Sequence, residues 1–467
     1  MDAMGQSGAQ VGSHSVDRRT IATYAVGSLG TGGFATLPGL VLLYFLTDTL
    51  GVAALVAGIV IAAAKVWDVL IDPVIGIRSD HSLATTGSRR RFMILGGVTL
   101  PVFFFLTFAV PAGLGPAASA GWVFVAFLCC ATAFSLFQVP YIALPAELAS
   151  GYDDRTRLLT WRVVVLTLAI LLFGAGGPLL RGISDDPRVG YLVMAAVAGL
   201  VLGAGMLVAS SVAPSDKPIA RRSPAQSPAA AYRAGLDTLR RSRPFRTLLG
   251  TFVLQGLATG MMLAGAQYVA TWVLRSEDAV TPLFVALIAP ALLLAPVWGR
   301  FARRVGKERA FALASTLFAV AALALVGLLW APGLWVYAPV ALAGAAYAGM
   351  QSLPMAMLPD VISHDARSNG EGHAGTFGGV WTAGETAGMA FGATVLSMIL
   401  ATTGYAERVA GASVEQSPSA ILGIVLSFSV VPALLLVASL FTLRWYRLRQ
   451  SDIDSPSRPA ENRTVAR

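Results

Sequence analysis

Apolar stretches of about 20 residues, each long enough to cross roughly 30 Å of hydrocarbon, recur from Ile21 to Tyr446. Inside a bilayer the backbone must satisfy its own hydrogen bonds, so a chain built this way folds as a bundle of membrane-spanning helices. Composition agrees. Hydrophobic residues make up 55% and charged residues 13%, about half the roughly 25% charged content of an ordinary globular protein. Soluble multidomain, disulfide-stapled secreted and nucleic-acid-binding classes are excluded. We read twelve spans, at 21–46, 52–78, 92–112, 119–149, 159–181, 189–212, 246–274, 281–302, 309–330, 335–360, 373–403 and 418–445.

The net charge of +9 is a matter of position rather than of an acidic partner. With these spans, 29 of the 34 Lys and Arg fall on the side of the termini and four on the other, Arg181, Arg188, Arg275 and Arg408; Lys65 lies within a span. Positive charge stays with the cytoplasm, so both termini are expected there, in a cell inner or plasma membrane. The polar segment Met1–Thr20 lacks the pattern of a removable signal peptide. Cys129 and Cys130 are neighbours in span four and read as small buried side chains.

The chain divides into a tail (1–20), a six-span half (21–212), a Pro-, Ser- and Arg-rich linker (213–245), a second six-span half (246–445) and a C-terminal tail (446–467). A short amphipathic helix is expected near 229–241 in the linker. A weak repeat supports the division. DPVIGIRSD, from Asp72, and APVWGRFARR, from Ala295, align Pro73 and Gly76 with Pro296 and Gly299, and a basic run follows each. Two six-helix halves with paired basic loops resemble the plan of major facilitator transporters, where solute binds near mid-membrane between the halves.

Span two carries its own chemistry. Asp68 and Asp72 are one turn apart on the same helix face, and Lys65 falls on that stripe. Charges within a span are costly, at least about 2.5 kcal/mol each, and persist where they pair, line water or bind an ion. A Lys65–Asp68 pair explains Asp68 alone. The position matching Asp72 in the second half is Ala295, so helix packing does not demand a carboxylate there. Asp72 therefore reads as an ion- or proton-handling group.

KVWDVLIDPVIG (from Lys65), VPYIALPAEL (from Val139) with DDRTRLLTWR (from Asp153), and LPDVI with VWTAGETAGMAFG (from Leu358 and Val380) resemble the glycoside–pentoside–hexuronide:cation symporters, the family of melibiose permease. The resemblance covers nearly all the spans. It implies that Asp68, Asp72 and Ser135 hold a coupling cation, Na+ or H+, with Gln138 standing where the family has a further carboxylate. Arg162 matches the family's helix-five arginine. The family's helix-one carboxylate falls at Gly32 and its helix-eleven lysine at Thr386, beside Glu385, so the scaffold carries over and the substrate does not.

From the residues themselves, Tyr24, Arg162, Gln255, Trp381 and Glu385 are candidates for contacting solute. Gln138, Gln255, Gln267 and Gln351 suit a polyol or interhelical packing equally. Arg78 and Asp80, with Arg300, Arg303 and Arg304 in the other half, are candidate gate charges on the side of the termini. No phosphate-binding loop or zinc-protease motif occurs, so no enzyme activity and no cofactor beyond the coupling ion is expected. The reading is a monomeric secondary transporter, in contact with lipid and a small solute and not with nucleic acid. It carries out cation-coupled symport of a sugar or glycoside; an exporter or a lysolipid carrier on the same scaffold is the alternative. Reporter fusions should place residues 213–245 in the cytoplasm; an external position would overturn the charge-based orientation.

Overall fold

The computed structural model describes residues 16–148, 152–213, 228–369, 374–410, 412, 414–446 and 448. Most of the N-terminal tail, linker residues 214–227 and the C-terminal tail from 449 lie outside the described residues. Twelve helical spans run Arg18–Thr49, Ala54–Thr86, Arg90–Phe108, Pro116–Ala143, Tyr152–Arg181, Pro187–Ser210, Arg243–Val273, Val280–Val305, Lys307–Leu329, Tyr337–Asn369, Ala374–Thr402 and Pro418–Leu443. Eleven of these contain a segment apolar enough to cross a membrane. Span ten is as long as any, at 33 residues, but Gln351, Pro354, Pro359 and Asp360 make it more polar. The expected linker helix forms at Pro228–Arg241. The chain is a multi-pass integral membrane protein.

An even number of spans returns the chain to the side on which it began. We call that side the terminal face and the other the distal face. Helices meet through small residues, as expected where lipid is as apolar as the side chains. Spans seven and eleven nearly touch backbone to backbone. A Cβ at Gly260 would lie 2.1 Å from the Met389 carbonyl oxygen, and one at Gly392 would lie 2.3 Å from the Met261 nitrogen. Span two is pinned to span four by the Trp67 indole N–H, which donates to Thr132 Oγ1 at 2.8 Å.

The described contacts between the halves lie near the distal ends. Gly58 of span two sits against Ser397 of span eleven, Gly39 of span one against Leu263 of span seven, and Gly174 of span five against Phe284 of span eight. Polar braces near the terminal face stay within a half. Arg89 pairs with Asp80 at 2.5 Å and Glu147 at 2.7 Å, and Lys307 pairs with Asp360 at 2.5 Å. In each half a cation at the start of the third span thus holds a carboxylate at the end of the fourth. Burial lifts the Glu147 carboxyl above its ordinary range, and Arg89 draws it back. The linker helix packs on spans two, seven and eleven, and Arg241 at its end forks onto Asp365 of span ten at 2.7 Å.

The seven–eleven contact gives a stability prediction. Gly260→Leu should destabilise the detergent-solubilised protein by about 1–3 kcal/mol, the usual cost of overpacking, and lower its Tm. Gly250→Ala, on the same helix but facing open space, should leave Tm unchanged or raised. Equal effects at the two positions would contradict the close approach.

Candidate functional site

Lys65 Nζ lies 3.1 Å from Asp68 Oδ2 and 5.7 Å from the centre of the Phe34 ring of span one. The ammonium is thereby committed to the first carboxylate of the stripe. Asp72, one turn further on, has Ser135, Asp68 and Lys65 as its polar surroundings and forms no ion pair among the described residues. Oδ1 of Asp68 and Oδ1 of Asp72 are both buried with no hydrogen-bond partner. Buried polar atoms are normally satisfied, and a bare carboxylate oxygen in an apolar setting is expensive. These two oxygens on one face, with the Ser135 hydroxyl opposite, form a donor set that fits a hard cation, which takes oxygen ligands, or a proton. Gln138 is turned elsewhere: its Oε1 accepts from Thr31 Oγ1 of span one at 2.7 Å. Of the two residues expected from span four, Ser135 lies beside Asp72, while Gln138 ties spans one and four together.

A second group of residues is drawn from both halves. On the first half, Tyr24 stacks on Tyr141 with ring centres 4.7 Å apart. The Tyr141 hydroxyl is 2.8 Å from the Tyr24 carbonyl oxygen and 3.0 Å from Ser28 Oγ. Gly27 permits this, since a Cβ there would lie 2.6 Å from the Tyr141 ring. The Arg162 guanidinium sits over the same ring at 5.5 Å. Tyr24 Oη and Arg162 Nε are buried without partners. On the second half, Trp381 stacks on Phe252 at 4.5 Å and its indole N–H is likewise unpartnered.

Glu385, one turn beyond Trp381, lines a small cavity with Phe252, Gln255, Thr259, Tyr347 and Gln351. Arg162 acts on Glu385 electrostatically from the opposite half. Gln255 is largely a clamp within its own half. Its Nε2 donates to Ser315 at 2.8 Å and Ser439 at 3.3 Å, leaving only Oε1 free. Gln351 donates to Tyr347 Oη at 2.6 Å, and Gln267 donates to Thr271 at 3.1 Å. The amides therefore mostly bridge protein groups, while Tyr24 Oη, Arg162 Nε and the Trp381 indole N–H are buried without a partner.

The gate charges are not brought together. Asp80 pairs with Arg89 rather than Arg78, and Arg78, Arg300, Arg303 and Arg304 form no ion pair among the described residues. Sequence reasoning also missed Asp48, Tyr405 and Arg408, which build a buried cluster at the distal face. A signal for them was present: Tyr44 and Thr47 recur as Tyr268 and Thr271 at nearly the offset that separates Pro73 from Pro296.

Residues 23–450 match the family described as MFS/sugar transport protein. The chain belongs to this family. It is 24% identical to the glucuronide carrier protein homolog of Escherichia coli strain K12, with 92% of each chain covered. It is 26% identical to the human sodium-dependent lysophosphatidylcholine symporter 1 over 66% of this chain and 61% of that one. Its fold is similar to the crystal structure of the nucleoside transporter NupG, with a TM-score of 0.61 at 12% identity, covering 91% of this chain and 99% of the other. Twelve spans in two halves are thus the body of a membrane-embedded transporter of small solutes.

Proposed function

We propose that the protein is a secondary active symporter that moves a sugar or glycoside together with a cation, by alternating exposure of a site between its two halves. The observation that carries this reading is the uncompensated carboxylate of Asp72. Lys65 neutralises Asp68 alone, so the stripe retains one negative charge inside the bilayer. A conformational change that rocks the halves past each other moves that charge through the least polar part of the bundle. Binding a cation at the Asp68, Asp72 and Ser135 oxygens removes the net charge and lowers the cost of the transition. Sodium suits three oxygens, and a proton suits Asp72 itself; the reading leans towards sodium. Arg162, Tyr24, Trp381 and Glu385 then meet the hydroxyls and the ring face of the solute.

Symport follows if ion and solute each raise the other's affinity, and that coupling is reciprocal. The candidate solute contacts, with aromatic faces, an arginine and a carboxylate from opposite halves, suit a polar ring compound. The likeness to a glucuronide carrier homolog supports a sugar-like substrate and that to a sodium-dependent symporter supports sodium. On this reading the protein works as a monomer, with both termini in the cytoplasm of an inner or plasma membrane, and carries out no chemical step of its own.

The test is uptake into proteoliposomes with imposed sodium or proton gradients and a panel of sugars, glycosides and lysolipids. Asp72→Asn should abolish gradient-driven accumulation, to less than about a tenth of the parent rate, while exchange of bound solute survives in part. Full concentrative uptake by that variant with unchanged ion dependence would refute the assignment. Accumulation of lysolipids and of no sugar would favour the amphipath carrier instead.

A further inference from the structure

Spans one and seven hold the same structural device at their distal ends, and the two copies grip each other. Each span loosens into a π-turn, Phe45–Thr49 in the first half and Val269–Val273 in the second. Each π-turn closes in the same way. The Leu50 nitrogen donates to the Phe45 carbonyl at 3.1 Å, and the Leu274 nitrogen donates to the Val269 carbonyl at 2.9 Å. Each is followed by a residue in the left-handed region, Gly51 at φ +66° and Arg275 at φ +57°. A non-glycine residue held there is uncommon, and single-turn π insertions are frequent at functional sites.

The side chains cross between the halves in matched pairs. Tyr44 Oη donates to Thr271 Oγ1 at 3.2 Å, and Tyr268 Oη lies 2.7 Å from Thr47 Oγ1. The two tyrosine rings meet edge to face with centres 5.2 Å apart.

The symmetry breaks at one position. Where the second half has Trp272, the first has Asp48, which is 3% exposed. Its carboxylate is gripped from the loop between spans eleven and twelve. Tyr405 Oη donates to both oxygens, at 2.8 and 2.7 Å, while itself accepting from the Trp272 indole N–H at 2.7 Å. Arg408 Nε donates to Asp48 Oδ1 at 3.2 Å, and its other end reaches Tyr44 Oη at 2.8 Å and Glu277 at 3.0 Å. The loop backbone joins in: the Arg408 and Ala410 nitrogens donate to the Thr47 and Thr49 carbonyls, each at 3.0 Å. Glu407 caps the start of span two by accepting from the Ala54 nitrogen at 2.8 Å.

We propose that this assembly is the distal gate of the transporter, and that the Asp48–Arg408–Tyr405 latch sets how often it opens. The crossed tyrosine–threonine pairs form the seal. The loop is the strap, and Asp48 is the point to which the strap is fastened. A second-half loop bonded to first-half backbone and side chain cannot stay in place when the distal ends separate, so opening has to break these bonds together. Arg408 is the part that gives first, since it is 22% exposed and has Glu277 as an alternative partner on its own half.

The experiment reads accessibility from both faces in a Cys129→Ala/Cys130→Ala background. Leu263→Cys reports on the space behind the seal, because Leu263 faces Gly39 there. Gly378→Cys reports on the terminal side of span eleven, where a side chain would meet nothing within 4 Å. A membrane-impermeant maleimide is applied to the distal face for the first reporter and to the terminal face for the second.

Asp48→Asn and Arg408→Gln should each raise distal labelling of Leu263→Cys on the order of tenfold, equivalent to about 1.4 kcal/mol. Terminal labelling of Gly378→Cys should fall in the same proteins, because opening one side closes the other. Tyr405→Phe should give a smaller change in the same directions. Unchanged distal labelling in Arg408→Gln would overturn the proposal, as would a rise at both reporters, which is mere loosening of the fold. If Asp48→Asn does not reach the membrane, the partly exposed Arg408 leaves that variant to decide alone.

Discussion

A charge within the hydrocarbon has to find a partner, and this bundle is organised around how each of its charges does so. Lys65 is bound to Asp68 on one helix face. Asp48 is enclosed by Tyr405, Thr47 and Arg408 where span one ends. Arg162 rests on the Tyr141 ring and acts on Glu385 of the opposite half. Asp72 is the exception, with no ion pair of its own among the described residues and a buried oxygen that accepts nothing. An unpaired carboxylate at that depth costs at least a few kcal/mol. The proposed transport cycle gives that cost a use: a cation bound there would satisfy the site, and the charge state of span two would then differ between loaded and empty protein.

The two halves are copies, and the places where they differ carry the chemistry. Pro73 and Gly76 have counterparts in Pro296 and Gly299, but Asp72 faces no counterpart carboxylate, since Ala295 stands there. Tyr44 and Thr47 have counterparts in Tyr268 and Thr271, but Asp48 stands opposite Trp272. Shared positions build the scaffold: prolines in mid-span, small residues at close contacts, a cation bracing the fourth span of each half. Broken positions give one half a charge that the other lacks. Both halves enter from the same face, so even identical halves would present different ends to the two sides of the membrane; what these two aspartates make unequal is the halves themselves, one lying at the proposed ion site and the other at the proposed latch.

Much of this was legible in the sequence. Apolar length and basic loops yield the spans and their halving, because hydropathy in a bilayer is a strong and local signal. The helical spacing of Lys65, Asp68 and Asp72 gives their common face, since three residues on one helix need no tertiary information. What could not be read was partnership between distant segments. Gln138 and Gln255 suit solute contact or packing equally in isolation, and the structure has them holding spans together, through Thr31 in one case and Ser315 with Ser439 in the other. The distal cluster was hidden for the same reason. Asp48, Tyr405 and Arg408 lie in short polar stretches that resemble ordinary loops, and only the closure of one half on the other brings them within hydrogen-bonding distance.

The central claim is that Lys65 and Asp68 cancel each other and leave Asp72 as the charge that couples ion to solute. The most direct measurement is the ion dependence of gradient-driven uptake by Lys65→Ala/Asp68→Ala, which removes the pair and leaves the net charge of the stripe unchanged. This double variant should still accumulate solute against a gradient, with an ion affinity weakened by roughly tenfold, about 1.4 kcal/mol, through loss of the Asp68 oxygen. Complete loss of ion-driven accumulation, in protein that reaches the membrane in normal amount, would show that the pair and not Asp72 carries the coupling.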